Sequence, residues 1–255
     1  MTRVGLLFPG SMGAAVGAAA RAEVLWASEG RSEATAKRAS GFRDVGAVEE
    51  LVLAADIVLS ICPPAIAEEV AERVFALGFD GTFVEANAIT PERMRRIATI
   101  GDSVVDGSII ASTGIHLYLV GQGSGEVAEL FEGSDVEAIT LDADIGAASA
   151  LKMAFGGWNK IGTALTAQAY AIARAYGVDE ALAGEGVDSE RFVRSVRKAW
   201  RWAPEMDEVA ATCEALGLPD GMGRGAAELF RRWDAHRDQT VSLDRLLDDL
   251  TPRGD

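Results

Sequence analysis

Val4-Gly5-Leu6-Leu7-Phe8-Pro9-Gly10-Ser11-Met12-Gly13 opens the chain, and its reading decides the fold. Val4 to Phe8 reads as a buried strand, and a helix rich in small residues follows from about Ser11 to Arg21. A strand that ends in a glycine turn and opens a helix aims unpaired backbone N–H groups at a ligand phosphate. Gly10 lets the backbone approach a pyrophosphate, with Ser11 and Met12 completing the turn. Gly13 lets the helix pack closely on the strand, and Ala14, Gly17 and Ala18 continue that small face. Phe8 stands where such a turn usually has its first glycine. The position of the turn, after the first strand of a repeated strand–helix pattern, favours a dinucleotide site over a purely structural turn.

Outward from this turn the first half alternates short apolar runs with helix-like segments. Strands are expected at Val24–Trp26, Asp56–Cys62, Thr82–Ala86, Ser103–Asp106, Leu117–Val120 and Glu137–Leu141. Helices are expected at Glu33–Ala39, Val48–Ala54, Ile66–Leu77 and from Thr90-Pro91, an N-cap and N1 pair, to Ala98. Strands apolar on both faces and separated by helices indicate a parallel, doubly wound sheet. The pattern changes at Gly146. Ala147–Tyr176 reads as one helix of about 45 Å, at 1.5 Å per residue. Helices then follow at Asp188–Trp202, Pro204–Leu216, Asp220–His236 and Ser242–Leu250, with residues 251–255 frayed. The expected fold class is α/β, with a Rossmann-type domain over residues 1–145 and an all-helical domain over residues 146–255.

Among the 255 residues, 24 lysines and arginines face 39 aspartates and glutamates, a formal net charge of −15. Such a surface repels nucleic-acid backbones and anionic membranes, so neither is an expected partner. A small anionic ligand stays compatible, because a few basic groups and backbone N–H groups can dominate one pocket. Cys62 and Cys213 form no metal-binding spacing, and His116 and His236 have no partner motif, so no metal is expected. Arg3 and the apolar run after it resemble a secretory leader, but Pro9, Gly10 and Gly13 interrupt the run. The expectation is a cytoplasmic protein with reduced thiols.

Nucleotide choice is read at the end of the second strand, where an acid accepts hydrogen bonds from the ribose of NAD. Ala27 stands there, followed by Ser28-Glu29-Gly30-Arg31-Ser32, with Lys37 and Arg38 one turn further on. Arg31, Ser28 and Ser32 suit a 2′-phosphate, and the expected cofactor is NADP(H). The other reading is a solvated loop of mixed charge. Further along, Lys152 interrupts an apolar helix start. Ser149, Gly156, Asn159 and Thr163 share its face, making a narrow polar stripe. A snorkelling surface lysine and a placed functional one fit this pattern equally.

With these residues in view, the sequence resembles the β-hydroxyacid dehydrogenase superfamily, which includes 6-phosphogluconate dehydrogenase. The resemblance rests, in chain order, on Val4 to Gly13, Asp56–Pro64, Asn87, Asp106-Gly107-Ser108-Ile109-Ile110 and Gly146 to Lys152. It is nearest to a 6-phosphogluconate dehydrogenase-like branch with a helical C-terminal domain of unknown function. That branch shows in Trp26 to Ser32, Trp200-Arg201-Trp202-Ala203-Pro204-Glu205-Met206 and Gly217 to Gly221. The resemblance implies that Lys152 exchanges a proton with the substrate oxygen while hydride moves to or from nicotinamide. It places Cys62 and Pro63 over the cofactor, Asn87 near the nicotinamide ribose, and Asp106, Gly107 and Ser108 along the substrate side. It also implies a homodimer in which the long helices pack across subunits.

The chain departs from the family pattern at three points. The helix asparagine four residues beyond the lysine is Gly156, with Asn159 one turn further. The serine that helps bind a substrate carboxylate falls at Ile110, leaving Ser108, Ser112 or Thr113 to substitute. A later lysine is replaced by Glu205. Carbonyl or alcohol redox chemistry on a small molecule, with Lys152, Asn159 and Ser108 as catalytic groups, is the first expectation. Imine reduction is the second, since Glu205 suits a cationic imine. A catalytically silent nucleotide-binding module is the third, supported by Phe8. Arg201 and Glu205 are candidate substrate contacts, and the alternative is a packed tryptophan cluster with Arg201 paired to Glu205.

Overall fold

Strands that are apolar on both faces need a helical layer on each, and the N-terminal part of the chain supplies two. The computed structural model describes residues 1–251, and residues 252–255 of the segment expected to fray lie outside the described residues. Two compact units are formed, Met1–Lys152 and a second that begins at Met153.

In the first unit, the strands are β1 (Arg3–Leu7), β2 (Glu23–Trp26), β3 (Arg43–Asp44), β4 (Ile57–Ser60), β5 (Thr82–Glu85), β6 (Val104–Ala111), β7 (Ile115–Val120) and β8 (Val136–Thr140). They make one sheet in the order β3-β2-β1-β4-β5-β6-β7-β8. The first six run parallel. Their order reverses between β1 and β4, which opens a crevice at the carboxyl ends of those two strands.

The interleaved helices are α1 (Ser11–Ala19), α2 (Glu33–Arg38), α3 (Val48–Ala54), α4 (Ala67–Ala76), α5 (Pro91–Ile97) and α6 (Ser124–Glu129). Val4, Leu6, Ile57 and Leu59 pack with Val16 of α1 and Val127 of α6. Leu7, Val58 and Phe83 pack on the opposite face with Leu51, Ala71 and Met94, from α3, α4 and α5. This is the alternation a strand imposes on its side chains. A Cβ at Gly17 would stand 2.8 Å from Leu6 Cδ2, and one at Gly13 would stand 3.1 Å from the Phe8 carbonyl oxygen. Glycine at these two positions lets α1 lie directly on β1.

The strand expected to end at Asp106 continues to Ala111, and β7 pairs with it antiparallel. Ser112–Gly114 is too short for a crossover, so the chain can only fold back as a hairpin. Asp106-Gly107-Ser108 reads as polar in sequence, yet all three residues are buried. Both oxygens of Asp106 are engaged. They accept from the backbone N–H groups of Gly146 (2.8 Å), Ala148 (3.0 Å) and Ser149 (3.1 and 3.3 Å), and from the Ser149 hydroxyl (2.7 Å). Gly107 lies against β5, where a Cβ would stand 3.1 Å from the Glu85 carbonyl oxygen.

Those amides open α7 (Ala147–Ala175), whose first turns belong to the first unit and whose remainder belongs to the second. The second unit continues with α8 (Asp179–Gly184), α9 (Glu190–Ser195), α10 (Ala199–Ala215), α11 (Gly221–Arg231) and α12 (Leu243–Leu250). Its core stacks Phe192 on Trp233 with ring centroids 6.2 Å apart, and Tyr170 donates its hydroxyl to the Val187 carbonyl. Pro204 lies inside α10 instead of opening a helix, and the chain breaks earlier, at a 3₁₀ turn over Val196–Lys198. One turn into a helix, proline forfeits a single backbone bond, which the packing of Ala203, Met206 and Ala210 outweighs.

Asp106→Ala should leave several buried donors at the start of α7 without an acceptor. The expected loss is about 3 kcal/mol of stability in urea unfolding, with Asp106→Asn retaining part of it. A loss below about 0.5 kcal/mol, the usual range for neutral surface changes, would show that the helix start is held by other means.

Candidate functional site

The glycine turn leaves β1 with Phe8 at φ 60°, a left-handed conformation that favours glycine and costs a bulky side chain. Phe8 is held there by what lies on it: the Arg31 guanidinium carbon is 3.9 Å from its ring centroid. Gly10 caps α1 with no side-chain hydrogen bond, and a Cβ there would meet nothing nearer than 3.9 Å. The start of α1 is therefore open to an incoming oxyanion.

Ser32 caps α2 by accepting from the Thr35 backbone N–H, and the Asp44 carboxylate holds the Ser28 hydroxyl. Asp44 lies below the usual carboxylate range, chiefly through the Gly46 backbone N–H and then Ser28. Arg38 donates from Nε to the Pro9 carbonyl oxygen at 3.2 Å, tying the segment after β2 to the glycine turn. Arg31 is half-buried, and its buried Nε has no acceptor among the described residues. Burial, and then the charge of Arg73, lowers its pKa from the usual guanidinium value, while Cys62 raises it. Arg31 thus reaches from the loop after β2 across the carboxyl end of β1.

On the other side of the crevice, Asn87 clamps the loop after β4. Its Oδ1 accepts from the Cys62 backbone N–H at 2.5 Å, and its Nδ2 donates to Ser60 Oγ and Cys62 Sγ, both at 3.2 Å. Pro63 is exposed beside it. Beneath them lies Glu85, 1% exposed, with Oε1 accepting from the Asn87 backbone N–H at 3.0 Å and Oε2 without a partner among the described residues. Burial pushes its carboxyl up to about 8, against hydrogen bonds from Asn87 and Ser60. Burial and the nearby Glu85 push the Cys62 thiol up to about 12. Sequence reasoning missed Glu85; an acid ending an otherwise apolar strand is the signal that marks it.

Lys152 stands at the same edge of the sheet. Its Nζ donates to the Ile109 carbonyl oxygen at 2.6 Å, near the carboxyl end of β6. Ser108, one residue earlier, is fully buried and its Oγ has no partner among the described residues. Burial pushes the Asp106 carboxyl up, and the donors from Ser149, Gly146 and Ala148 pull it down. Phe8 to Gly13, Arg31, Cys62-Pro63, Asn87 and Lys152 thus share the carboxyl edge of the parallel strands, and Asp106, Gly107 and Ser108 lie in the layer that supports it.

The remaining candidates belong to the second unit. Gly156 faces the Glu205 carboxylate, which a Cβ at Gly156 would approach to 2.7 Å. Glu205, 8% exposed, accepts from Lys160 Nζ at 2.5 Å. Lys160 escaped the sequence reading because a lysine on a long helix looks like solvated surface. Arg201 does not pair with Glu205. Its guanidinium lies 4.8 Å from the Trp200 ring centroid, while Trp202 packs edge-on against Phe230. Asn159 follows one turn after Gly156, and its backbone carbonyl accepts from the Thr163 hydroxyl.

Residues 173–233 match a family described as a domain of unknown function, DUF1932. Comparison with curated proteins gives no match. A conserved protein of unknown function, MTH1747, described as structurally similar to 3-hydroxyacid dehydrogenases, shares the fold with a TM-score of 0.66. It is 25% identical over 94% of this chain and 100% of its own. The 3-hydroxyisobutyrate dehydrogenase of Mycobacterium tuberculosis aligns at a TM-score of 0.68 and 15% identity, covering 98% of this chain and 99% of its own. An imine reductase from Bacillus cereus aligns at 0.53 and 18% identity over 99% and 100% of the two chains. Fold and C-terminal match agree with the superfamily that the motifs resemble. Among the described residues, no helix is long and apolar enough to cross a membrane.

Glu85 carries a proton in the folded chain up to about pH 8 and loses it near the ordinary carboxylate value, 4.5, when unfolded. The folded state therefore holds the extra proton between these values, and Glu85 makes stability fall as pH rises through that window, then level off. Glu85→Gln should remove this slope. Urea unfolding of both proteins from pH 5 to 9 should show the variant gaining a few kcal/mol over the parent by pH 8. A difference that does not change with pH would mean that Glu85 folds ionised.

Proposed function

We propose that this chain, a member of the β-hydroxyacid dehydrogenase-like superfamily, is an NADP(H)-dependent oxidoreductase acting on a small carbonyl or hydroxy compound. The observation that carries the reading is Lys152, whose ammonium is fixed on the Ile109 carbonyl at the edge of the sheet where the dinucleotide crevice opens. The first unit is the coenzyme unit. The open start of α1 and Gly10 to Gly13 receive the pyrophosphate. Arg31, with Ser28 and Ser32, holds the 2′-phosphate, and the Nε of Arg31, which has no acceptor among the described residues, supports this assignment. Cys62, Pro63 and Asn87 border the nicotinamide ribose.

The nicotinamide, when bound, supplies or takes the hydride. The protein has to manage one proton. Lys152 gives it to the developing alkoxide when a carbonyl is reduced and takes it back when the alcohol is oxidised, and its positive charge stabilises the oxyanion between. Asp106 keeps the start of α7 against β6 and so acts on Lys152 as a positioning residue. Gly107 lets β6 lie directly on β5, and the buried Ser108 follows it. The exposed Ser112 and Thr113 after β6 are the proposed polar contacts to substrate.

Imine reduction ranks second for a physical reason. The carboxylate of Glu205 is already neutralised by Lys160, so it offers little net charge to a cationic imine. The second unit is proposed to form a homodimer. Trp158, Leu165 and Ile172 of α7, 73%, 64% and 57% exposed, recur every seven residues as an apolar stripe that fits a second copy of the helix.

Titration with NADPH and NADH should show tight binding and a preference for NADPH; binding of neither would support the silent-module reading. Arg31→Ala should weaken NADPH by about 1.5–3 kcal/mol, as for a charge-assisted contact, with little change for NADH. An equal loss for both would place the 2′-phosphate elsewhere. Lys152→Ala should abolish turnover and leave coenzyme affinity within a few-fold, and parental turnover would remove Lys152 from the chemistry. Light scattering at micromolar concentration should give twice the chain mass, with Trp158→Glu shifting it toward one. A parent that is monomeric would overturn the dimer.

A further inference from the structure

In a chain of net charge −15, residues 190–201 carry five basic residues against one acid. The fold adds another cation to this segment. The Asp238 backbone N–H donates to the Arg197 carbonyl at 3.0 Å, with Asp238 itself at φ 58°, and this fold-back brings the Arg237 guanidinium to 4.2 Å from the Trp200 ring centroid. Arg201 lies 4.8 Å from the same centroid. One indole therefore holds two guanidiniums, while Arg197 and Lys198 are exposed beside it on the preceding 3₁₀ turn. Among the described residues, no carboxylate pairs with Arg197, Lys198, Arg201 or Arg237. By contrast Arg194, Arg224, Arg231 and Arg232 of the same unit all have acidic partners. The Trp200 Nε1 donor is buried and has no acceptor among the described residues.

A guanidinium lying on an aromatic face keeps its in-plane N–H edge for an anion, and two such edges with two further cations exceed what one carboxylate can balance. An oxygen reaching the Trp200 N–H would also supply the acceptor that the described residues do not provide. We propose that Trp200, Arg201 and Arg237, flanked by Arg197 and Lys198, form a site for a small phosphate-bearing anion, separate from the coenzyme's glycine turn. The acidity of the rest of the chain sharpens the site, since it repels such anions elsewhere.

Calorimetric titration of the intact protein with inorganic pyrophosphate, and with acetate at matched ionic strength, tests the site. The parent should bind pyrophosphate with a component that acetate does not displace. Arg201→Ala with Arg237→Ala should weaken that component at least tenfold while the NADPH titration is unchanged. Arg197→Ala with Lys198→Ala changes exposed side chains outside the stack, and should weaken it several-fold even if the first pair fails to fold. Unchanged pyrophosphate binding in both variants, or equal displacement by acetate, would overturn the proposal. Loss of NADPH binding with this component intact would count against the coenzyme reading alone.

Discussion

A single buried carboxylate joins the sheet to the long helix. Asp106 supplies acceptors to three amides and a hydroxyl at the start of α7, where the helix dipole also favours negative charge. Lys152 lies about one turn beyond the last of those amides, and its ammonium returns to β6 three residues past Asp106. Strand and helix are thus stitched at two points, one anionic and one cationic. The first turn of α7 cannot slide or rotate against β6 without breaking one of them, so the position of the lysine is a property of the junction and not of its own rotamer.

The same economy governs the carboxyl edge of the sheet. Asn87 spends its amide on the loop after β4, Glu85 spends one oxygen on Asn87, and Arg38 ties the segment after β2 to the glycine turn. The segments after β1 and β2, and those after β4 and β5, are thereby tied in pairs at one crevice, an order that would lower the cost of binding a ligand there.

The doubly wound core was legible because burial on both faces leaves a continuous apolar run in each strand, and because Gly13 and Gly17 mark where a helix must come close. The antiparallel β7 was not: its apolar pattern is that of any strand, and direction depends on the short Ser112–Gly114 turn. Pro204 misled in the other direction, since its ring is tolerated so near a helix start. Among the candidate residues, Lys152 was visible as a charge in an apolar run. The pairing of Lys160 with Glu205 was not, because the partners are 45 residues apart and nothing in either neighbourhood names the other.

Phe8 and Arg31 form a bond of descent as well as a stack. A glycine at position 8 would relieve the backbone and at the same moment remove the surface on which the guanidinium rests; an Arg31 lost first would leave an aromatic ring at a strained turn with nothing covering it. Neither change alone is neutral, so lineages of this protein should hold the two residues together or have exchanged both.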